Sequence, residues 1–550
     1  MPRAARPRAL PLAFALALAA ITAPAADTYY VSSAGHDTNV GTTVSAPFRT
    51  LQKAANSVQP GDTILMRPGT YAGARIERSG ASNAPITLRA EVPGTAVINT
   101  NGPACKRKSN LEIETWASPY VVRHWVVEGL VIEGLKTLGP ITNYGIDARS
   151  TQFLVIRGNT VSNSAITGIF TAFSYDCTIE GNTSAYNGEH GIYYNNSSDR
   201  FAIRGNTLHH NANAGLHMNA DVTVPPGSGT PWIGDGIISD GVIENNTIYA
   251  NGKGGAAINM DGVENALVRN NLIHTTTNNS GIALFRGNAA IASRRNRILN
   301  NTIVMAPQNP GWAVNLTSAD CVSNQVFNNI LYNPHGFRGS ISIAVPNLDG
   351  FVSDYNAVVN RFSADGGGSN MGLAAWQALG YDTHSILAVP GNLFVQADTD
   401  FHLRAASPAI DRGTPLPDVT ADHANLARPL DGNADGTNTW DLGAFEFAHP
   451  TADSDRDGAP DAAELAAGTD ATNAASRLAM SALNPQPDAV VLEWPSATGR
   501  RYALGSSTNL ADAVFLPGAS NLPATPPLNV HTVAVPPAAS SAFWRVGVEP

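Results

Sequence analysis

The stretch "IRGNTVSNSAITGIF" at 156–170 is followed by "IEGNTSAYNGEHGIYY" at 179–194 and "IRGNTLHHNANAGLHM" at 203–218. "IENNTIYANGKGGAAINM" (243–260), "VRNNLIHTTTNNSGIAL" (268–284) and "LNNTIVMAPQNPGWAVNL" (299–316) continue the series. The second residue of each Gly-Asn or Asn-Asn pair falls at Asn159, Asn182, Asn206, Asn246, Asn271 and Asn301, at spacings of 23, 24, 40, 25 and 30. Each unit reads as a short apolar strand, a polar turn, a second short strand opening near Gly-Ile, and another turn. No helical periodicity intervenes. A unit this small cannot bury its apolar face alone and must stack on its neighbours. The predicted product is an all-β parallel β-helix. Asn tolerates left-handed turn geometry, and its side chain can bond to the equivalent Asn one rung away, so these asparagines are expected to be architectural.

Composition agrees. Charged residues make up 14% of the 550, while Gly (50) and Pro (36) are plentiful, which suits many short strands joined by turns. The formal net charge of −10 leaves no basic footprint for nucleic acid. No stretch after residue 25 is long and apolar enough to span a membrane. Arg3, Arg6 and Arg8, the run "ALPLAFALALAAI" and "APA" at 23–25 read as a secretory signal peptide over 1–25. The mature chain is thus expected in the periplasm, outside the cell or on its surface. Cys105, Cys177 and Cys321 cannot all pair. Cys177 and Cys321 open apolar strands and are expected to be buried thiols.

"FRTLQKAANSVQPGDTI" supplies a capping helix over 51–59, with Leu51, Ala54, Ala55 and Val58 on one face. The wider segment "YYVSSAGHDTNVGTTVSAPFRTLQKAANSVQPGDTILMRPGTY" (29–71) resembles the opening of secreted right-handed parallel β-helix proteins. These include pectate lyases of family nine and alginate and chondroitin lyases of family six. "SPAIDRGT" (407–414) and "DLGAFEF" (441–447) resemble the close of that domain. The resemblance implies a right-handed pectin lyase-like solenoid over 26–448. The calcium-binding Asp clusters and the Lys and Arg pairs of those families have no clean counterpart here.

Strand side chains alternate in and out. Counted from the turn Asn, offset 11 gives Tyr193 and His217. Offset 13 gives Asn195, Asn219 and Asn259, and offset 15 gives Asp221 and Asp261. Glu189, His190 and Lys253 stand at the preceding turns, and Arg286 ends the corresponding strand of the next rung. This outward strip is the candidate site. The spacing of 40 adds the insert "VTVPPGSGTPWIGDGIIS" (222–239), which carries Trp232 and Asp235. Solenoid insertions often map to the binding face, and a Trp there can stack on a sugar.

Three functions follow. The first is β-elimination on a uronate-containing polysaccharide. His217 or Lys253 would be the base and Tyr193 the acid. Arg286, the asparagines or a Ca²⁺ held by Asp221 and Asp261 would take the carboxylate. Glu189, His190, Asn195, Asn219, Asn259 and Trp232 would bind substrate. A C5-epimerase would reuse the same groups. The second is glycoside hydrolysis by Asp221 and Asp261, with Glu189 and Asp235 as further candidates, although direct rung neighbours stand closer than an inverting pair requires. The third is glycan binding without catalysis, as in an adhesin.

"DSDRDGAPDAAE" (453–464) places Asp453, Asp455, Asp457, Ala459, Asp461 and Glu464 at positions 1, 3, 5, 7, 9 and 12, with Gly458 at 6. That is the ligand order of an EF-hand-type Ca²⁺ loop. It resembles thrombospondin type 3 and dockerin loops, and dockerins carry two. It lies in a linker, 449–477, far in sequence from 189–286, and so is expected to be architectural. "AVVLEWPSATGRRYALGSSTNL" (489–510) and "SAFWRVGV" (541–548) read as alternating strands of a small β-sandwich over 478–550, with Trp494, Tyr502, Phe543 and Trp544 as core.

Overall fold

The computed structural model describes residues 26–134, 143–222, 234–275, 277, 280–512, 514–535 and 541–549. The signal segment 1–25 and Trp232 lie outside the described residues.

Three parallel sheets run the length of the repeat region, with 12, 12 and 11 strands among the described residues. We call them sheets 1, 2 and 3, in the order in which one coil visits them. Thr151–Arg157 lies in sheet 1, Thr160–Ser162 in sheet 2 and Thr167–Ala172 in sheet 3. Thr178–Glu180 then returns to sheet 1 in register beside Val155–Arg157. The chain forms the expected parallel β-helix.

Burial explains the repeat. Ile156, Ile179, Ile203, Ile243, Val268 and Ile298 stack as one inward column, all buried. Each such side chain contributes about 1.5–3 kcal/mol on leaving water. The turn between sheets 1 and 2 explains the Gly-Asn pairs. Gly158, Gly181 and Gly205 all have φ of 61°, and Asn245, Asn270 and Asn300 take over at 50–55°. That left-handed region excludes most L-residues and suits Gly and Asn. The following asparagines form a ladder in which each Oδ1 accepts from the backbone N–H and the Nδ2 of the Asn one coil earlier. It runs unbroken from Asn159 through Asn182, Asn206, Asn246, Asn271, Asn301 and Asn329 to Asn356.

The N-terminal cap is the helix Leu51–Ser57, opened by Thr50, whose hydroxyl accepts from the Lys53 N–H at 3.2 Å. It buries Leu51, Ala54 and Ala55 over the open core. The far end is closed by the helix Leu373–Gln377, whose buried Trp376 stacks on Phe362 at 5.1 Å. Cys177 and Cys321 are buried, as expected. The segment from Phe394 to Phe447 folds back along the coils. There Asn270 donates to the Ala421 carbonyl and Asn300 to the Asp441 carbonyl. At the C-terminus, two small antiparallel sheets enclose Val490, Leu492, Trp494, Tyr502 and Leu504, with Trp544 packed against them.

Candidate functional site

The three outward faces differ in what their side chains already satisfy. Sheet 1 carries Arg89, Glu128, Arg157, Glu180, Arg204, Glu244 and Arg269 as one column of alternating sign. Arg157–Glu128, Arg204–Glu180 and Arg269–Glu244 pair at 2.6, 2.8 and 2.6 Å, so this face neutralises itself. Sheet 2 carries a stack of His209, Tyr249 and His274, with Phe401 over its end. Sheet 3 concentrates the remaining titratable groups.

On sheet 3, Phe170, Tyr193, His217 and Asn259 are partners on successive rungs, about 5 Å apart. The next outward column is Asn195, Asn219 and Asp261. The alternation expected from the sequence holds, since Tyr194, Met218 and Met260 are buried between these columns, and Ile192, Leu216 and Ile258 are buried on their other flank. One alignment does not. Asn259 lies opposite His217, and Asp261 lies opposite Asn219, because the turn through Lys253, Gly254 and Gly255 is two residues longer than its counterparts. Asp221 and Asp261 thus do not hold equal positions on adjacent rungs, although Asp221 remains near enough for its charge to raise the Asp261 carboxyl, whose largest upward cause is burial. Asp221 instead bridges to Ala289. Asp261 is occupied: its two oxygens accept the Gly287 and Asn288 N–H groups at 2.7 and 2.9 Å.

His190 joins the strip from the turn. Its ring stacks on His217 at 4.4 Å and 8°, and Tyr193 meets His217 edge-on at 4.6 Å. The hydrogen bonds assign the proton positions. Asn259 Oδ1 accepts the Ala256 N–H, which turns Asn259 Nδ2 toward His217 Nδ1 at 2.8 Å. His190 Nδ1 accepts the Ala214 N–H at 3.3 Å. A neutral imidazole that accepts at Nδ1 carries its proton on Nε2. Burial pushes His217 down to about 4. Burial, reinforced by His217, pushes His190 down to about 3. Tyr193 is pushed up to about 12, chiefly by burial, and its oxygen accepts from Asn219 Nδ2 at 3.1 Å. Both histidines are therefore neutral N–H donors at neutral pH, and Tyr193 is an O–H donor. His217 Nδ1, the ring nitrogen that could accept a proton, is engaged by Asn259 Nδ2.

Lys253 is exposed on the long turn, and Glu189 stands 4.0 Å from His190 Nε2. Arg286 is exposed and donates to the Ala289 carbonyl. Asn195 and Asn219 each keep a buried Oδ1 without a hydrogen-bond partner. Gly234 and Gly236 at the end of the insert pack against Ser197, so this part of the insert borders the strip.

The sequence reading missed a charged cluster on the same face toward the N-terminus. Arg75, Glu112 and Asp147 continue the Phe170–His217 column, and Glu114 and Arg149 flank it. Glu112, Glu114 and Asp147 are fully buried. Arg107 reaches over from a loop to pair with both Glu114 and Asp147, and Arg149 pairs with Asp147 at 2.7 Å. Burial pushes Glu112 up to about 7. For Glu114, burial is again the largest single influence and acts in the same sense, but Arg107, the Trp116 N–H and Glu112 together outweigh it and hold the carboxyl low. The signal was the alternation in "SNLEIE" (109–114), where Glu112 and Glu114 alternate with Leu111 and Ile113.

In the 453–464 loop, carboxylate oxygens of Asp453, Asp455 and Asp457 lie within 4.8 Å of one another. Glu464 is 2% exposed, and its Oε2 and the Asp455 Oδ2 have no hydrogen-bond partner. Buried carboxylate oxygens left unpaired suit a hard cation with oxygen ligands. Both Asp461 oxygens accept from Ser454, at 2.8 and 2.7 Å. A second loop, "DGNADG" at 431–436, repeats the hydrogen bonding of the first. Asp431 accepts from Asp435 and Gly436 as Asp453 accepts from Asp457 and Gly458.

The fold and this strip define a parallel β-helix with a polar, aromatic strip on one sheet. Residues 29–223 match the family model described as Pel9A-like, right handed beta helix region, which gives the winding its hand. Over 209 residues the chain is 28% identical to the uncharacterized protein YwoF of Bacillus subtilis (strain 168), covering 35% of this chain and 43% of that one. Over 73 residues it is 37% identical to pectate lyase PEL9 of Emericella nidulans, covering 13% of this chain and 18% of that one. The chain thus spans less than half the length of these relatives. The crystal structure of pectate lyase Pel9A superposes with a TM-score of 0.50 at 17% identity, covering 76% of this chain and 96% of that one. At that identity the likeness is one of fold. No helix among the described residues is long and apolar enough to cross a membrane.

Proposed function

We propose that the protein acts on a uronate-containing polysaccharide bound along sheet 3 and cleaves it by β-elimination. The observation that carries this reading is the convergence of His190, His217 and Tyr193 as three neutral donors on adjacent rungs. Abstraction of the C5 proton places negative charge on the neighbouring uronate carboxylate. Fixed donors in a partly buried site stabilise charge that develops there. The C5–H bond breaks toward a base, the C4–C5 double bond forms, and the leaving O4 takes a proton. Tyr193 supplies that proton. With the histidines assigned as donors, the base falls to Lys253. The name of the pectate lyase relative supports this substrate class.

The test is incubation of the pure protein with polygalacturonate, alginate and chondroitin. Unsaturated uronate at new chain ends is expected. New reducing ends without it mean hydrolysis, and binding without cleavage means an adhesin.

The burial of the histidines gives a pH prediction. Their folded pKa values lie below the ordinary value of about 6.5, so the unfolded chain takes up protons first as pH falls. Their contribution to stability is intact above pH 6.5 and is lost progressively toward pH 4. Buried carboxyls such as Glu112 act in the opposite sense. The comparison is therefore with His190→Gln/His217→Gln. Between pH 7 and 4.5 the wild type should lose more of its urea midpoint than this variant. Parallel curves would mean that the rings titrate normally.

We further propose that the 453–464 loop binds Ca²⁺ through Asp453, Asp455, Asp457, Ala459 and Glu464, and that the ion is architectural. EDTA, or Asp453→Ala with Asp455→Ala, should lower the protease resistance of the C-terminal segment and barely change activity on a soluble glycan. Loss of activity with intact coils would give the ion another role.

A further inference from the structure

We propose that Arg149 is an anion-binding subsite at the N-terminal end of the sheet-3 groove, taking a carboxylate of the glycan some sugars away from the reacting one. This rests on the reading of the groove as a site for an acidic polysaccharide.

Register places it. Arg149, Ala172, Asn195 and Asn219 are partners on four successive rungs of one outward column. Arg149 therefore stands two rungs, about 10 Å, from Asn195 on the same surface. The intervening floor is apolar, formed by Phe170, Ala172 and Phe173 with Tyr144 and Tyr193 against them. An apolar floor with a few fixed polar groups is the usual lining of a ligand site.

The guanidinium is held in advance of any ligand. Its Nε donates to Asp147 at 2.7 Å, and its carbon lies 4.5 Å over the Phe170 ring. Asp147 is itself fully buried and pinned by Arg107 Nε at 2.9 Å. The Arg149 side chain is nonetheless 19% exposed. A group held by Asp147, by Tyr144 and by the Phe170 face, yet partly exposed, loses little freedom on binding. The charge beneath it also leaves room for an anion. Asp147 is shared between Arg107 and Arg149, and burial disfavours the ionised form of Glu112.

The test measures binding of the acidic chain that the wild type retains, polygalacturonate or alginate, beside its carboxyl-reduced form. Arg149→Met keeps the stem on Phe170 and removes the charge. It should weaken binding of the acidic chain about tenfold and leave the reduced chain unchanged. Arg149→Lys should recover part of the loss, and the variants' deficit should shrink as salt is raised. Wild-type affinity of Arg149→Met for the acidic chain overturns the subsite while the proposed function stands. Equal weakening for both chains makes Arg149 structural and overturns it too. If Arg149→Met does not fold, Arg149→Gln decides, with wild-type affinity for the acidic chain as the overturning result. If the wild type binds no acidic chain, the reading of the groove and the subsite fall together.

Discussion

Replacing His217 with alanine is expected to lower turnover on an acidic glycan by about a hundred- to a thousandfold, the usual cost of removing one donor to a developing oxyanion. The coils should remain folded, because the ring lies outside the apolar column formed by Ile192, Leu216 and Ile258. Glutamine at the same position separates the two roles a histidine can play. It retains an N–H donor but cannot take a proton. If His217 is held as an Nε2 donor by Asn259, His217→Gln should recover about tenfold of what alanine loses. If the ring were the base, glutamine would be as poor as alanine. With His217 as a donor, Lys253→Ala should be the inactive variant among the remaining candidates, and a fully active Lys253→Ala would remove the base from this proposal.

The fold was legible because its information is periodic. The Gly-Asn pairs mark the left-handed residue and the ladder residue of one turn in coil after coil, and both roles follow from backbone sterics alone. Site geometry was legible only where the period held. Tyr193 and His217 fell on one column because their coils have equal turns. Asp261 was misplaced because Gly254 and Gly255 lengthen the next turn, and nothing in a residue count says where extra residues bulge. The proton positions on His190 and His217 could not be read at all, since they depend on the Ala214 N–H and on which way Asn259 faces. The cluster around Asp147 escaped because half of it arrives from elsewhere. Arg107 is 40 residues from Asp147 along the chain and reaches it from a loop. In the 453–464 stretch the spacing anticipated the grouping of Asp453, Asp455 and Asp457, but not the bonds from Ser454 to both Asp461 oxygens.

Asn206→Ala tests the ladder, and its expected cost is the largest of any single stability change considered. Asn206 is buried at 1% exposure. Its Oδ1 accepts from Asn182 N and Nδ2 at 3.0 and 3.1 Å, and its Nδ2 donates to the Ile179 carbonyl and to Asn246 Oδ1 at 2.8 and 3.0 Å. Alanine strands the Asn182 N–H and the Ile179 carbonyl in an interior that cannot rehydrate them. Each orphaned group costs about 1–3 kcal/mol, which together gives about 3–5 kcal/mol. Thr207→Ala next to it, half-buried on the outward side, should cost no more than about 1 kcal/mol. Because stacked coils are stabilised mainly by their neighbours, the damage should stay local. Hydrogen exchange should accelerate most in the coils holding Ile179, Ile203 and Ile243, and least near the Leu51–Ser57 cap. Those same coils carry Tyr193, His217 and Asn259, so glycan activity should fall with protection there although Asn206 lies on the opposite side of the core. Uniform loss of protection over all coils would mean that the solenoid unfolds as one unit and the ladder has no local role. Unchanged stability would mean that water replaces the amide, which the buried position of the turn argues against.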